Sequence, residues 1–138
     1  MILFVCSQGK IRSRTAEVLC LMGGIEARSC GTDESAIVHV SDGLIREAEV
    51  IVCMEHHHAT ALQEMNFMHL DLAKVIELGI QDIYEPFDPS LVEKLIDSLG
   101  CTLRMVSVAI KVGQEGRKAM RAAMIEQRHA RGEADDAF

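Results

Sequence analysis

The first 22 residues constrain this chain more than any other stretch. Ile2-Leu3-Phe4-Val5 is a run of β-formers, Cys6-Ser7-Gln8-Gly9-Lys10-Ile11-Arg12-Ser13 is a short polar loop, and Arg14 to Met22 carries apolar residues at helical spacing. Strand, tight loop and helix in that order aim the loop's backbone N–H groups and the helix N-terminus at one point, which is a place for an anion. Cys6 opens the loop, where N–H dipoles, the positive helix end and a guanidinium all favour thiolate over thiol. Arg12 is a planar, permanently charged fork that matches phosphate oxygens by paired hydrogen bonds. Ser13 is placed to donate its hydroxyl to the sulfur. A nucleophile beside an anion clamp points to phosphoryl transfer through a phosphocysteine, with Ser7, Gln8, Gly9, Lys10, Ile11, Arg12 and Ser13 forming the phosphate-binding loop. An arginine in a first helical turn opposes the helix dipole, so a bound anion explains it better than solvation does.

Residues 23–100 repeat the alternation of strand and helix. Gly23-Gly24 reads as a left-handed cap ending the first helix, and Ile25 to Cys30 as a strand. Gly31 to Ser35 is turn material, and Ser41 is an N-cap for a short helix through Glu47. Val50-Ile51-Val52-Cys53-Met54 is the continuous apolar run of a strand covered on both faces. His56-His57-His58 begins the next helix. Adjacent helical residues point about 100° apart, so the three cannot grip one ion, and they read as a polar helix start near the surface with no metal. Val75 to Ile80 reads as a fourth strand. Right-handed crossovers then imply a three-layer α/β/α fold with a central four-stranded parallel sheet and a site at the strands' carboxyl ends. Leu91 to Leu99 reads as a helix ended by Gly100; Cys101 to Val112 suits either helix or strand. Gln114 to Arg128 reads as a helix with a stripe of Ala119, Met120, Ala123 and Met124.

At 138 residues, 49% of them hydrophobic, the chain suits one core. The expected division is a catalytic unit over 1–100 and an extra C-terminal helical segment over 101–138, docked or partner-binding, with a frayed end from Glu133. Five cysteines without metal-ligand spacing indicate neither a disulfide framework nor a zinc site, and reduced thiols fit a cytoplasmic protein. The apolar opening lacks the basic flank of a signal peptide, and no segment is long enough to span a bilayer. Charge is uneven. Residues 1–100 hold 7 Lys/Arg against 16 Asp/Glu, a balance of −9, while residues 101–138 hold 7 against 5. The first part repels polyanions outside its pocket, and the basic last third has no aromatic stacking platform, so nucleic acid is not an expected partner. The Met-rich stripe within 101–131 suits a protein partner or a second copy of the chain.

Ile2 to Cys6, the Cys-x5-Arg-Ser loop, Arg14-Thr15-Ala16-Glu17, Gly24 to Thr32 and Ala48 to Met54 together resemble the low-molecular-weight protein tyrosine phosphatases, in particular a short bacterial subgroup; the likeness fades after about residue 98. The resemblance implies a cofactor-free phosphatase acting on a phosphorylated protein or a small aryl phosphate. Two departures stand out. The family's usual loop has asparagine where this chain has Gly9, which bears on loop rigidity, and often a second cysteine where it has Ile11, which removes a protective intraloop disulfide. The segment between the second and third strands is also shorter than the family's, which implies a more open face beside the pocket.

A phosphate monoester needs a proton on its leaving oxygen, and two aspartates compete to supply it. Asp88-Pro89 has the pattern of a helix N-cap and first position and also echoes the family's acid-proline dipeptide. Asp82 lies in Ile80-Gln81-Asp82-Ile83-Tyr84, which is similar to the family's acid-loop register, so Asp82 is the expected acid and Asp88 the alternative. The same register implies Tyr84 as a wall for the substrate ring, with Phe87 packed beneath the loop. Two other functions compete: a phosphate- or phosphoprotein-binding adaptor with lost rate, for which Gly9 and the C-terminal helix speak, and arsenate reduction, for which the required close cysteine pair is lacking near Cys53.

Overall fold

The computed structural model describes residues 1–130. The elements run β1 (Ile2–Cys6), α1 (Arg12–Met22), β2 (Ala27–Gly31), α2 (Asp42–Glu47), β3 (Val50–Cys53), α3 (His56–Glu64), a 3-10 turn (Leu72–Lys74), β4 (Val75–Glu77), α4 (Pro89–Thr102) and α5 (Arg104–Ala130). The four strands form one parallel sheet in the order β2-β1-β3-β4.

Alternation along β1 and β3 builds a core on each face. Ile2, Phe4, Cys6, Val52 and Met54 pack with Ala16 and Leu19 of α1, Leu91, Leu95 and Leu99 of α4, and Ile110 of α5. Leu3, Val5, Ile51 and Cys53 pack on the other side with Ile45 of α2 and with Ala59 and Leu62 of α3. Helices cover both faces of the sheet, the three-layer α/β/α arrangement expected.

Several boundaries depart from the sequence reading for identifiable reasons. Gly24, at φ +78°, takes the left-handed conformation, whereas Gly23 sits at φ −86°. The pair ends α1 as expected, Gly23 being its C-cap, and Gly23 serves helix packing as well: a Cβ there would lie 2.6 Å from the Ala109 carbonyl oxygen, and one on Gly113 would lie 2.7 Å from that of Met22. These two glycines let α5 cross the end of α1 at backbone contact. Gly100 does not end α4, which continues to Thr102; it faces Ser107, whose buried hydroxyl donates to the Ile96 carbonyl at 2.8 Å. Cys101 to Val112 resolves as helix around Leu103, which joins α4 to α5. β4 stops at Glu77 because Gly79 bends the chain at φ +71°, although Ile80 still donates its N–H to the Met54 carbonyl at 2.7 Å. The side chains of Ala119 and Met120, half of the expected stripe, and the expected frayed end from Glu133 lie outside the described part of the chain. No helix among the described residues is long and apolar enough to cross a membrane.

The crossing glycines predict opposite outcomes for one substitution in one helix. Gly113→Ala should lose about 1–3 kcal/mol by overpacking. Gly116→Ala, with no atom within 4 Å of the new methyl, should gain roughly 0.5–1 kcal/mol from helix propensity. Urea midpoints of the two variants check the sign of each.

Candidate active site

The cup begins with what α1 lacks. Helices α2 and α4 start with side-chain caps, Ser41 Oγ accepting from Leu44 N at 3.3 Å and Asp88 Oδ1 accepting from Ser90 N at 2.9 Å. At α1 the N-cap is Ile11, with no side-chain cap and no acidic residue in the first turn. Its first N–H groups therefore remain open to an outside acceptor. They border a cavity of about 280 Å³ lined by Cys6 and other residues of the 6–12 loop, together with Asp33 and Asp82.

Cys6 ends β1 with its Sγ 2.9 Å from Ser13 Oγ and 3.2 Å from the Gly9 N–H, which donates to it. Three other thiols lie in the cores. Burial pushes Cys20, Cys30 and Cys53 up to about 12, so they are protonated at neutral pH. The loop's departure at residue 9 has a geometric basis: Gly9 is left-handed at φ +67°, and a Cβ there would meet the Cys30 carbonyl carbon at 3.0 Å and the Gly31 nitrogen at 3.2 Å. Asparagine tolerates that φ, but the β2 backbone lies too close for any side chain to enter without a shift.

Arg12 is 2% exposed, so its charge must be met within the protein. Nη1 donates to Glu55 Oε1 at 2.5 Å and to the Ile80 carbonyl at 2.9 Å, which uses both of its hydrogens. Nε and Nη2 are the donors left for an oxyanion, and Asp82 Oδ1 stands 3.8 Å from Nε. Asp82 lines the cup and is 62% exposed, whereas Asp88 caps α4 and lies away from the lining.

Glu55 and His58, which the sequence reading did not single out as site residues, hold the loop from the α3 side. The expectation of a surface histidine run fails at His58, which is fully buried. Its Nδ1 accepts the Glu55 N–H at 3.0 Å, so the neutral ring carries its proton on Nε2, which is 3.0 Å from Ser7 Oγ. Burial, reinforced by His57 and Arg12, pushes His58 down to about 4. His56 turns away to Glu77 Oε1 at 2.9 Å. One donor atom each from Glu55, His57 and His58 lies within 4.8 Å of the others, a grouping the helix-angle argument did not foresee. Both His58 nitrogens are already hydrogen-bonded, so an ion there would displace one of those bonds.

The aromatic residues depart from their expected places. Tyr84, read as a substrate wall, is half-buried against the α1/α4 core and does not line the cup. Phe87, read as buried, is 47% exposed at φ +58°, with its N–H tied to Thr15 Oγ1 at 3.3 Å. Asp33 joins the cup because its N–H donates to the Ser7 carbonyl at 2.9 Å, a turn contact with no signature in the sequence.

No known family model and no curated protein sequence matches the chain. Solved structures do. The chain is similar to a mutant of YwlE from Bacillus subtilis at 18% identity and TM-score 0.50, covering 84% of this chain and 97% of that one. It is similar to the tyrosine phosphatase Wzb from Escherichia coli K30, bound to phosphate, at 19% identity and TM-score 0.53, covering 83% and 96%. A YwlE arginine phosphatase mutant with a phosphorylated active-site serine gives 17% identity and TM-score 0.51, covering 85% and 95%. At such identities the likeness is one of fold: this chain has the Rossmann-like α/β/α architecture of those phosphatases.

The site generates two expectations. Gly9→Ala should cost about 1–2 kcal/mol for a left-handed alanine and weaken phosphate binding, both measurable by phosphate-dependent thermal shift. Because His58 is held neutral when folded and titrates near 6.5 when unfolded, the unfolded chain binds the extra proton first. Stability should therefore fall as pH drops from about 6.5 towards 4, by up to roughly 3 kcal/mol. His58→Gln should flatten that slope in urea titrations between pH 7 and 4.5.

Proposed function

We propose that this protein is a metal-free, cysteine-dependent phosphatase that hydrolyses phosphotyrosine-type monoesters on a phosphorylated protein or a small aryl phosphate. The observation that carries this reading is the pairing, in one cup, of a thiol that accepts the Gly9 N–H with a buried guanidinium that has two free donor positions. Cys6 attacks phosphorus as its bond to the leaving oxygen breaks. The loop N–H groups and the Nε and Nη2 donors of Arg12 take the charge spread over the remaining oxygens. Asp82 gives its proton to the leaving oxygen, then as a carboxylate draws a proton from the water that attacks the phosphocysteine, returning Cys6 as thiolate. The Ser13 hydroxyl stabilises that thiolate. No step calls for a cofactor.

Asp82 is preferred to Asp88 because it lines the cup, while the Asp88 carboxylate is occupied as a helix cap. Tyr84 serves as a ring wall only if the 80s loop reorients on substrate binding. The left-handed φ of Gly9 gives glycine a conformational reason at that position, which leaves the C-terminal helix as the other support of the adaptor reading. A disulfide relay for arsenate is disfavoured because Cys20, Cys30 and Cys53 are buried and protonated. All five cysteines are free, which suits a reducing, cytoplasmic setting. Met105, Val108 and Val112 stand exposed along α5, the segment we assign to a partner or second copy.

Purified chain should release phosphate from an aryl phosphate in the presence of a chelator, and Cys6→Ser should abolish turnover. Asp82→Ala should lose about 10²–10⁴-fold with a poorly acidic leaving group and much less with an activated phenol. Asp88→Asn, which keeps a good cap, should stay within about twofold of wild type. Phosphate binding without turnover by the wild-type chain would favour the adaptor instead.

A further inference from the structure

A second depression adjoins the cup and is almost twice its size, about 540 Å³ against 280 Å³. The two share Lys10. From there the cleft runs past Arg14 of α1 to Arg28 of β2, with Ile37 and Val38, 73% and 47% exposed, as an apolar wall. Its single acid, Glu17, is consumed internally: one carboxylate oxygen accepts the Ser29 N–H at 3.1 Å, and the other accepts the Ser29 hydroxyl at 3.1 Å while pairing with Arg14. Among the described residues Lys10 and Arg28 take part in no ion pair. With Glu17 paired to Arg14, Lys10 and Arg28 leave the cleft two cations in excess.

The setting makes this concentration informative. Residues 1–100 carry a balance of −9, yet four of their seven Lys/Arg residues, Lys10, Arg12, Arg14 and Arg28, lie at the cup or this cleft. In the cup Lys10 and Arg12 stand beside Asp33 and Asp82, whereas the cleft's one acid is already paired, so on a surface that otherwise repels anions it is the cleft beside the reaction centre that draws them. The bulk charge alone would favour substrates with basic surroundings. The cleft reverses that preference locally.

We propose that this cleft is a specificity subsite that binds acidic residues flanking the phosphorylated residue of a protein substrate, with Arg28 as its distal determinant. The proposal rests on the phosphatase reading and names the substrate class for it. With the phosphoryl group in the cup, about three residues of extended chain reach roughly 10 Å further, so the neighbours in sequence are the groups delivered to the cleft. Their carboxylates meet Lys10, Arg14 and Arg28, while their aliphatic portions lie on Ile37 and Val38.

The test uses three phosphotyrosine peptides that differ only in Asp/Glu, Ala or Lys at the flanking positions, with an aryl phosphate as a reference that cannot reach the cleft. Wild type should favour the acidic over the alanine peptide by about tenfold in kcat/KM, as a few partly exposed ion pairs supply, and the preference should shrink with added salt. Arg28→Glu should abolish or invert the preference with the aryl phosphate rate and urea midpoint unchanged. The same peptides are also measured for binding to Cys6→Ser by fluorescence polarisation. If the wild-type chain leaves the aryl phosphate intact but Cys6→Ser still selects the acidic peptide, the hydrolytic reading falls and the subsite stands. Equal rates for all peptides, a preference for the lysine peptide, an unchanged preference in Arg28→Glu, or no peptide binding overturns the subsite.

Discussion

A guanidinium with almost no solvent contact has to be neutralised by the protein around it, and Arg12 imposes that condition on three parts of the chain at once. It lies in the first turn of α1, its carboxylate partner Glu55 precedes α3, and its carbonyl partner Ile80 follows β4. Removing one side of such a pair strands the other charge, at a cost of about 3–5 kcal/mol. The same two bonds that make burial tolerable also orient the fork, since they use one terminal nitrogen and leave the other edge for an oxyanion. Stability and positioning are here one set of contacts.

The sheet order explains why these parts meet. From β1 the chain moves to β2 on one side, and β3 pairs on the other, so the connections leaving β1 and β3 part company at their carboxyl ends. A crevice opens at such a switch point without further design. Cys6 occupies the end of β1, Glu55 follows β3, and the His58 ring bridges the Glu55 N–H to the Ser7 hydroxyl across the gap. The loop is also braced from the opposite edge, where the Gly31 backbone packs so closely that an added Cβ would lie 2.4 Å from the Ser7 carbonyl oxygen. The loop is thus held from both neighbours of β1 as well as by the Cys6, Gly9 and Ser13 bonds inside it.

Legibility in the sequence followed the range of the interaction involved. Asp88-Pro89 and Ser41 announced helix starts because a cap acts within three residues, and both caps are formed. The unbroken apolar run from Val50 to Met54 announced a strand covered on both faces, and its side chains divide between the two cores. Glycines were harder to read. Gly23 ends α1 as read but also lets α5 cross at backbone contact, which only the position of α5 reveals, and Gly100 looked like a helix end although α4 runs through it. His58 looked like one of three surface imidazoles because burial depends on what α3 is packed against, and the same holds for Tyr84, half-buried against the core, and Phe87, exposed at a left-handed φ.

By itself the amino-acid order determined the strand-loop-helix unit, the alternation that makes a covered parallel sheet, and the presence of a thiol and a guanidinium six positions apart. Those are consequences of local geometry and periodicity, which travel with the chain. Tertiary structure alone decided which carboxylate neutralises Arg12, which imidazole is buried and neutral, that Asp33 shares the cup with Asp82, and that Lys10, Arg14 and Arg28 gather beside it. Each of these depends on groups far apart in sequence becoming neighbours when the sheet closes, and the burial that closure brings is what holds His58 neutral.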